Sequence, residues 1–381
     1  MSNSPPPPPP VASATSSLQT LIEQLRNYEV AIKNNLLNDE SLNQYIETIQ
    51  SNIVWKNDAY YQEQLSLFKD SSENISNSCT KFTKLITLKV TIEAISSIVD
   101  EIKIHSHNLY TYFSVLIIHP LGKPLYKLFT NSILGLLHHL IGLINIGLSN
   151  NFVDLNSITG IIWEICGKIK VIPISNKAAF KRNFLENIYK IKDVIREFNG
   201  YVDASINNIN NDDTNIENDI EKYSDDDNEF YNNEELLFVQ KCIKLMEVCI
   251  DTLKVSNDVM TIVADNADND LINENNKITC RIWVNKLVAL SDNIDECVIN
   301  LGAELYAPIM DINEVESSYY TELYHQLCSV KDLIIKDNTM IQQYIYRNNT
   351  EANTLSNDNS NSNNECILAL ENIIQQINLL G

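Results

Sequence analysis

Glycine and proline are scarce in this chain: nine glycines and ten prolines among 381 residues, with six of the prolines in the single run Pro5–Pro10. That leaves little turn chemistry for a hairpin-rich sheet protein, and no period-2 run bounded by turn residues stands in for it. Positive charge is scarce as well. Lys and Arg total 28 against 50 Asp and Glu, a net charge of −22. Nucleic acid is excluded as a partner on this ground, because a phosphate-binding surface draws its affinity from Lys and Arg. Anionic membrane surfaces are disfavoured for the same reason.

Ligand and catalytic spacings are also missing. Cys79, Cys166, Cys242, Cys249, Cys280, Cys297, Cys328 and Cys366 are scattered without a CxxC pair, so neither a zinc site nor a disulfide framework is expected. The first residues lack the basic and apolar regions of a signal peptide. Reduced thiols acting as small core residues, in the cytoplasm and nucleus, are therefore expected. His105 and His107 diverge on a helix, as do His138 and His139, so neither pair holds a metal. No GxGxxG, GxxxxGK or GxSxG occurs. No cofactor, metal or enzymatic activity is expected, and the acid pairs Asp100–Glu101 and Asp295–Glu296 are expected on solvent faces.

What the chain does have is helical periodicity, supported by an apolar content of 44% that suffices for a sizeable core. Phe184, Ile188, Ile191, Ile195 and Phe198 fall on one helix face. Leu236, Val239, Ile243, Met246, Ile250 and Leu253 repeat the pattern. Leu287, Leu290, Ile294, Val298 and Leu301 do so again, followed by Tyr320, Leu323, Leu327, Val330 and Ile334. The expected fold class is all-α, with long one-sided helices paired in bundles. Breaks are expected at Asn38–Glu40, Asp70–Ser72, Pro120–Pro124, Asn150–Asp154, Pro173–Asn176, Asp265–Asp270, Pro308–Asn313 and Asn348–Asn364. Residues 128–153 carry no formal charge and satisfy the length of a membrane span, but His138, His139 and Asn145 interrupt them. A buried central helix of a bundle is the expectation, with membrane association the lesser alternative.

The expected domain map has a disordered Pro-rich tail at 1–16 and an N-terminal bundle at 17–206. An acidic Asn/Asp-rich disordered linker at 207–233 then leads to a smaller C-terminal bundle at 234–381, with a flexible Asn-rich loop at 348–364. The linker is too polar to offset its ordering entropy by burial. Within it Ser224 precedes three aspartates and is a candidate site for an acid-directed kinase. Pro5–Pro10 is a polyproline II candidate, for which a neutral tail is the ordinary reading.

Two patches are distinctive. One holds Trp163 and Cys166, then Pro173 and the run Asn176, Lys177, Ala178 and Ala179. The other holds Leu287, Leu290, Ser291 and Asp292, leading to Tyr306 and Pro308. Trp163 and Cys166 are three apart and are expected in the core beside Ile162 and Ile169. Pro173 is expected to end their helix, and Ser175 or Asn176 to cap the next.

By these patches the chain resembles the cyclin-D-binding protein family, also described as the Grap2- and cyclin-D-interacting proteins. The likeness runs from about Ser17 to Leu380. It implies two all-helical bundles in series, like vinculin, α-catenin and talin rod segments. It also implies a non-enzymatic negative regulator of cell-cycle progression that binds a D-type cyclin or related cell-cycle protein, and adaptor proteins such as Grap2. The alternative function for the same bundles is a vinculin- or talin-like cytoskeletal adaptor. The stripes sustain no Leu heptad, so the zipper credited to the family is not expected here.

Overall fold

The computed structural model describes residues 11–35, 59–88, 92–118, 121–149, 154–212, 230–267 and 274–336, with short pieces of 368–379. Among the described residues there is helix and no strand, and the chain divides into two compact units, Met1–Ala179 and Phe180–Gly381. The all-α expectation holds.

Among the described residues the first unit has α1 (Val11–Asn35), α2 (Ala59–Thr87), α3 (Ile92–Leu116), α4 (Lys123–Ser149) and α5 (Leu155–Lys170). Helix α4 packs against α1, α3 and α5, which accounts for its composition. A helix with neighbours on several sides needs apolar residues on each of them. Leu125, Phe129, Leu136, Leu137, Leu140, Leu143 and Ile144 are all fully buried, and the Phe129 ring meets Phe68 of α2 edge-on at 5.6 Å. Length and composition alone would let α4 cross a membrane. In this unit those features serve a core.

The expected break at Asp70–Ser72 does not occur, since α2 runs straight through it. Ser71 Oγ donates to the Leu67 carbonyl at 2.8 Å and Ser72 Oγ to the Lys69 carbonyl at 2.7 Å. Serine hydroxyls satisfied by their own helix are compatible with burial in its interior. Helix α1 begins at Val11, so the last residues assigned to the tail at 1–16 are helical. Pro5–Pro10, Asn38–Glu40 and the 348–364 loop lie outside the described residues.

The second unit is built on α6 (Asn176–Asp212, whose first turn falls in the first unit), α7 (Asn233–Ala267) and α8 (Glu274–Glu304). A short α9 (Ile312–Val315) continues through a π-helical turn, Glu316–Tyr320, into α10 (Thr321–Lys336). The stripes expected from periodicity are buried, except that Leu290 is half-buried. The division between units falls after Ala179 rather than at 206, because the apolar face of α6 from Phe180 to Val202 is buried in the second unit. Residues 207–212 extend α6, and Tyr231 is buried with its hydroxyl donating to the Leu305 carbonyl at 2.6 Å. The acidic segment therefore connects two helices of the second unit and is shorter than 207–233. Residues 213–229, Ser224 among them, lie outside the described residues.

Burial raises the thiols. Cys166 and Cys242 are pushed up to about 12 and Cys297 to about 11, in each case mainly by desolvation. Among the described residues Cys79, Cys166, Cys242, Cys249 and Cys280 are buried, whereas Cys297 and Cys328 are partly exposed. Since the thiolate is the reactive form, mass spectrometry after brief native alkylation should find Cys297 and Cys328 modified well ahead of Cys79, Cys242 and Cys249.

Glycines separate by what surrounds them. A Cβ at Gly147 of α4 would meet the Phe82 ring at 2.9 Å, whereas at Gly160 and Gly167 of α5 it would meet nothing within 4 Å. Gly147→Ala should lower stability by roughly 1–3 kcal/mol through overpacking. Gly160→Ala and Gly167→Ala should each raise it by about 1 kcal/mol through helix propensity. Urea unfolding monitored by circular dichroism reads both signs.

Candidate interaction surfaces

The first patch forms the α5–α6 corner. Pro173 follows the end of α5 at Lys170, and Ser175 Oγ accepts from the Ala178 N–H at 3.2 Å, so Ser175 is the cap. Asn176 has a different task. It is fully buried, and its Oδ1 accepts from the Gly122 N–H at 2.7 Å, tying the turn before α4 to the start of α6. Lys69 Nζ adds a bond to the Ile172 carbonyl at 2.8 Å. Ala179 is buried, while Lys177 and Ala178 are half-buried.

Trp163 corrects the expectation of a core residue. Ile162, Cys166 and Ile169 are buried, but Trp163 is 51% exposed, and its indole N–H donates to Thr80 Oγ1 at 2.9 Å. The physical reason is angular. At 100° per residue Trp163 stands one step beyond the buried Ile162, on the rim shared with Gly160 and Gly167. Exposed Val171 and Ile174 continue past the end of α5. The first unit thus presents an indole fixed by one hydrogen bond on a helix with two bare positions.

The second patch lies on α8, in the second unit. Asp292 Oδ1 accepts from Asn183 Nδ2 at 2.8 Å and from Asn187 Nδ2 at 3.2 Å, and Asn187 also donates to Ser291 Oγ at 3.0 Å. One turn on, Lys190 Nζ lies 2.6 Å from Asp295 Oδ2. Asp295 was expected on a solvent face but is only 8% exposed, and its Oδ1 has no partner among the described residues. Desolvation pushes its carboxyl up, against the pull of the Lys190 ammonium. Leu287 is buried.

Tyr306 and Pro308 belong to the corner between α8 and α9, where the Ala307–Pro308 peptide is cis. The Tyr306 hydroxyl donates to Glu197 at 2.7 Å, and its ring lies 5.3 Å from Phe198. The organising residue is Glu235, which the sequence reading did not single out. Asn232 Oδ1 caps α7 by accepting from the Glu234 and Glu235 N–H groups, and Glu235 Oε2 accepts from the Asn232 N–H at 2.7 Å. This reciprocal cap is legible as Asn-x-x-Glu. The other oxygen, Oε1, accepts from the Ile309 N–H at 2.8 Å, a bond the spacing could not disclose. Asn183, Asn187 and Lys190 were missed for a related reason: they read as the polar flank of the α6 stripe.

Among the described residues no three His, Cys, Asp or Glu side chains are grouped to hold a metal ion. The geometry defines a class: an all-helical protein whose distinctive side chains pin corners and present surfaces. Residues 67–204 match the family model described as Grap2 and cyclin-D-interacting, N-terminal. The matched stretch runs from within α2 to well along α6, Trp163 and the α5–α6 corner included. Curated proteins give no match.

Asp292→Ala removes the acceptor of Asn183 Nδ2 and leaves Asn187 Nδ2 with Ser291 Oγ alone, and should cost roughly 1–3 kcal/mol of unfolding free energy. Combined with Asn187→Ala it should cost less than the sum of the two, as coupled residues do. Asp295 supplies a pH test. Its raised pKa means that it favours folding while protonated, and that this contribution is lost as pH rises through the raised value. The stability of Asp295→Asn relative to wild type should therefore improve from acid to neutral pH, as read from urea midpoints.

Proposed function

We propose that this chain is a non-enzymatic interaction protein that binds a D-type cyclin or a related cell-cycle protein, and adaptor proteins of the Grap2 kind. By occupying that partner it restrains cell-cycle progression in the cytoplasm and nucleus. The observation that carries the reading is the match over 67–204, a stretch whose bundle exposes Trp163 on α5. Trp is the residue type most enriched among binding hot spots, where a rigid aromatic body is buried by the partner and its N–H is already satisfied. Gly160 and Gly167 flank it without side chains, which lets a partner's backbone come close. The net charge of −22 supports a protein partner rather than a polyanion.

Calorimetry of the full chain against a D-type cyclin from the same organism tests this. Binding is expected, and Trp163→Ala should weaken it by about 2 kcal/mol, on the order of thirtyfold in Kd. The folded content should be unchanged, because the indole makes only one hydrogen bond. Absence of heat with folded wild-type protein would overturn the cyclin reading.

A further inference from the structure

Charge in the second unit is segregated. From Leu287 to Val330 there is no Lys or Arg, while eight Asp and Glu fall in the same stretch. The middle of that stretch is the α8–α9 corner, whose tip is Met310, 98% exposed. The tip is held in place rather than left loose. Ile309 N–H is bonded to Glu235, the Leu305 carbonyl to Tyr231, and Asp311 caps α9 through the Asn313 and Glu314 N–H groups. Glu304, Asp311 and Glu314 are exposed within six residues of it along the chain, and exposed Glu234 and Leu237 flank Glu235, which bonds the Ile309 N–H. A thioether on a pinned loop with acidic neighbours is suited to entering an apolar pocket with a basic rim.

Such a pocket is present on the same unit. A groove of about 490 Å³ runs between α8 and α10, with Ala289, Leu290 and Leu333 as its apolar floor and Lys286 and Lys336 on its rim beside Ser329 and Asp332. Ion pairs among the described residues of this unit use Arg182, Lys190, Arg196, Lys241 and Lys254, leaving Lys286 and Lys336 to the groove. Lys286 and Glu304 are eighteen residues apart on α8, about 27 Å along the axis. A chain therefore cannot place its own Met310 in its own groove.

We propose that the occupant is a second copy: Met310 of one chain seats in the α8–α10 groove of the next, with its acidic neighbours against Lys286 and Lys336. The contact joins two different surfaces, so each added copy leaves one tip and one groove free and the assembly grows head to tail. This holds whether or not a cyclin binds.

Sedimentation equilibrium of the full chain over a concentration series tests it. Wild type should rise above the monomer mass of 43.4 kDa. Met310→Asp, which spoils the tip, and the double variant Lys286→Glu/Lys336→Glu, which spoils the groove, should each remain monomeric. All three positions are exposed, so circular dichroism should report the wild-type fold. An equimolar mixture of the two variants retains one good tip and one good groove, and should form a dimer that grows no further. The proposal is overturned by a wild type that stays monomeric at every concentration, by variants that associate as wild type does, or by a mixture that stays monomeric.

Discussion

The hydrogen-bonded seam between α6 and α8 is the interaction on which the second unit depends. Apolar stripes bring the two helices together, but burial is non-directional and would tolerate a slide of one turn. Asn183, Asn187 and Lys190 on one side, and Ser291, Asp292 and Asp295 on the other, do not tolerate it, since each displaced donor or acceptor would lose its partner. With the register fixed there, Tyr306 reaches Glu197 and Tyr231 reaches the Leu305 carbonyl. The α8–α9 corner is thus placed by bonds made along α6 and at the start of α7.

The first unit meets the same need differently. Its core is nearly all apolar and is organised around α4, which has neighbours on several sides. Direction comes from single polar residues at the edges: Asn176 on the Gly122 N–H, Lys69 on the Ile172 carbonyl, and the buried Thr83–Thr159 hydroxyl pair at 2.7 Å between α2 and α5. The family match ends within α6, after the residues that form one half of the seam. Residues distinctive enough to suggest a family therefore divide into two kinds. Asn176, Ser291 and Asp292 hold the fold, whereas Trp163 is presented outward.

Two surface positions depart from the bulk pattern. Trp163 is a large aromatic left half in solvent beside two glycines that pack against nothing. Met310 is an apolar tip on a loop with more hydrogen bonds than a passive connection needs. Neither costs the fold much to change, and neither contributes to a core.

Local pattern settles the all-α class, the buried stripes of α6, α7, α8 and α10, the corner at Pro173 and the lack of paired thiols at ligand spacing. Each follows from local periodicity or local backbone chemistry, which neighbours in sequence settle among themselves. Tertiary structure alone decided that the division falls inside α6, that Trp163 faces outward, that Asp295 is buried beside Lys190, and that Glu235 clamps a loop seventy-four residues away. A helical period gives the angle between two side chains. Which angle meets a neighbour and which meets water depends on helices far along the chain, and only their packing supplies that.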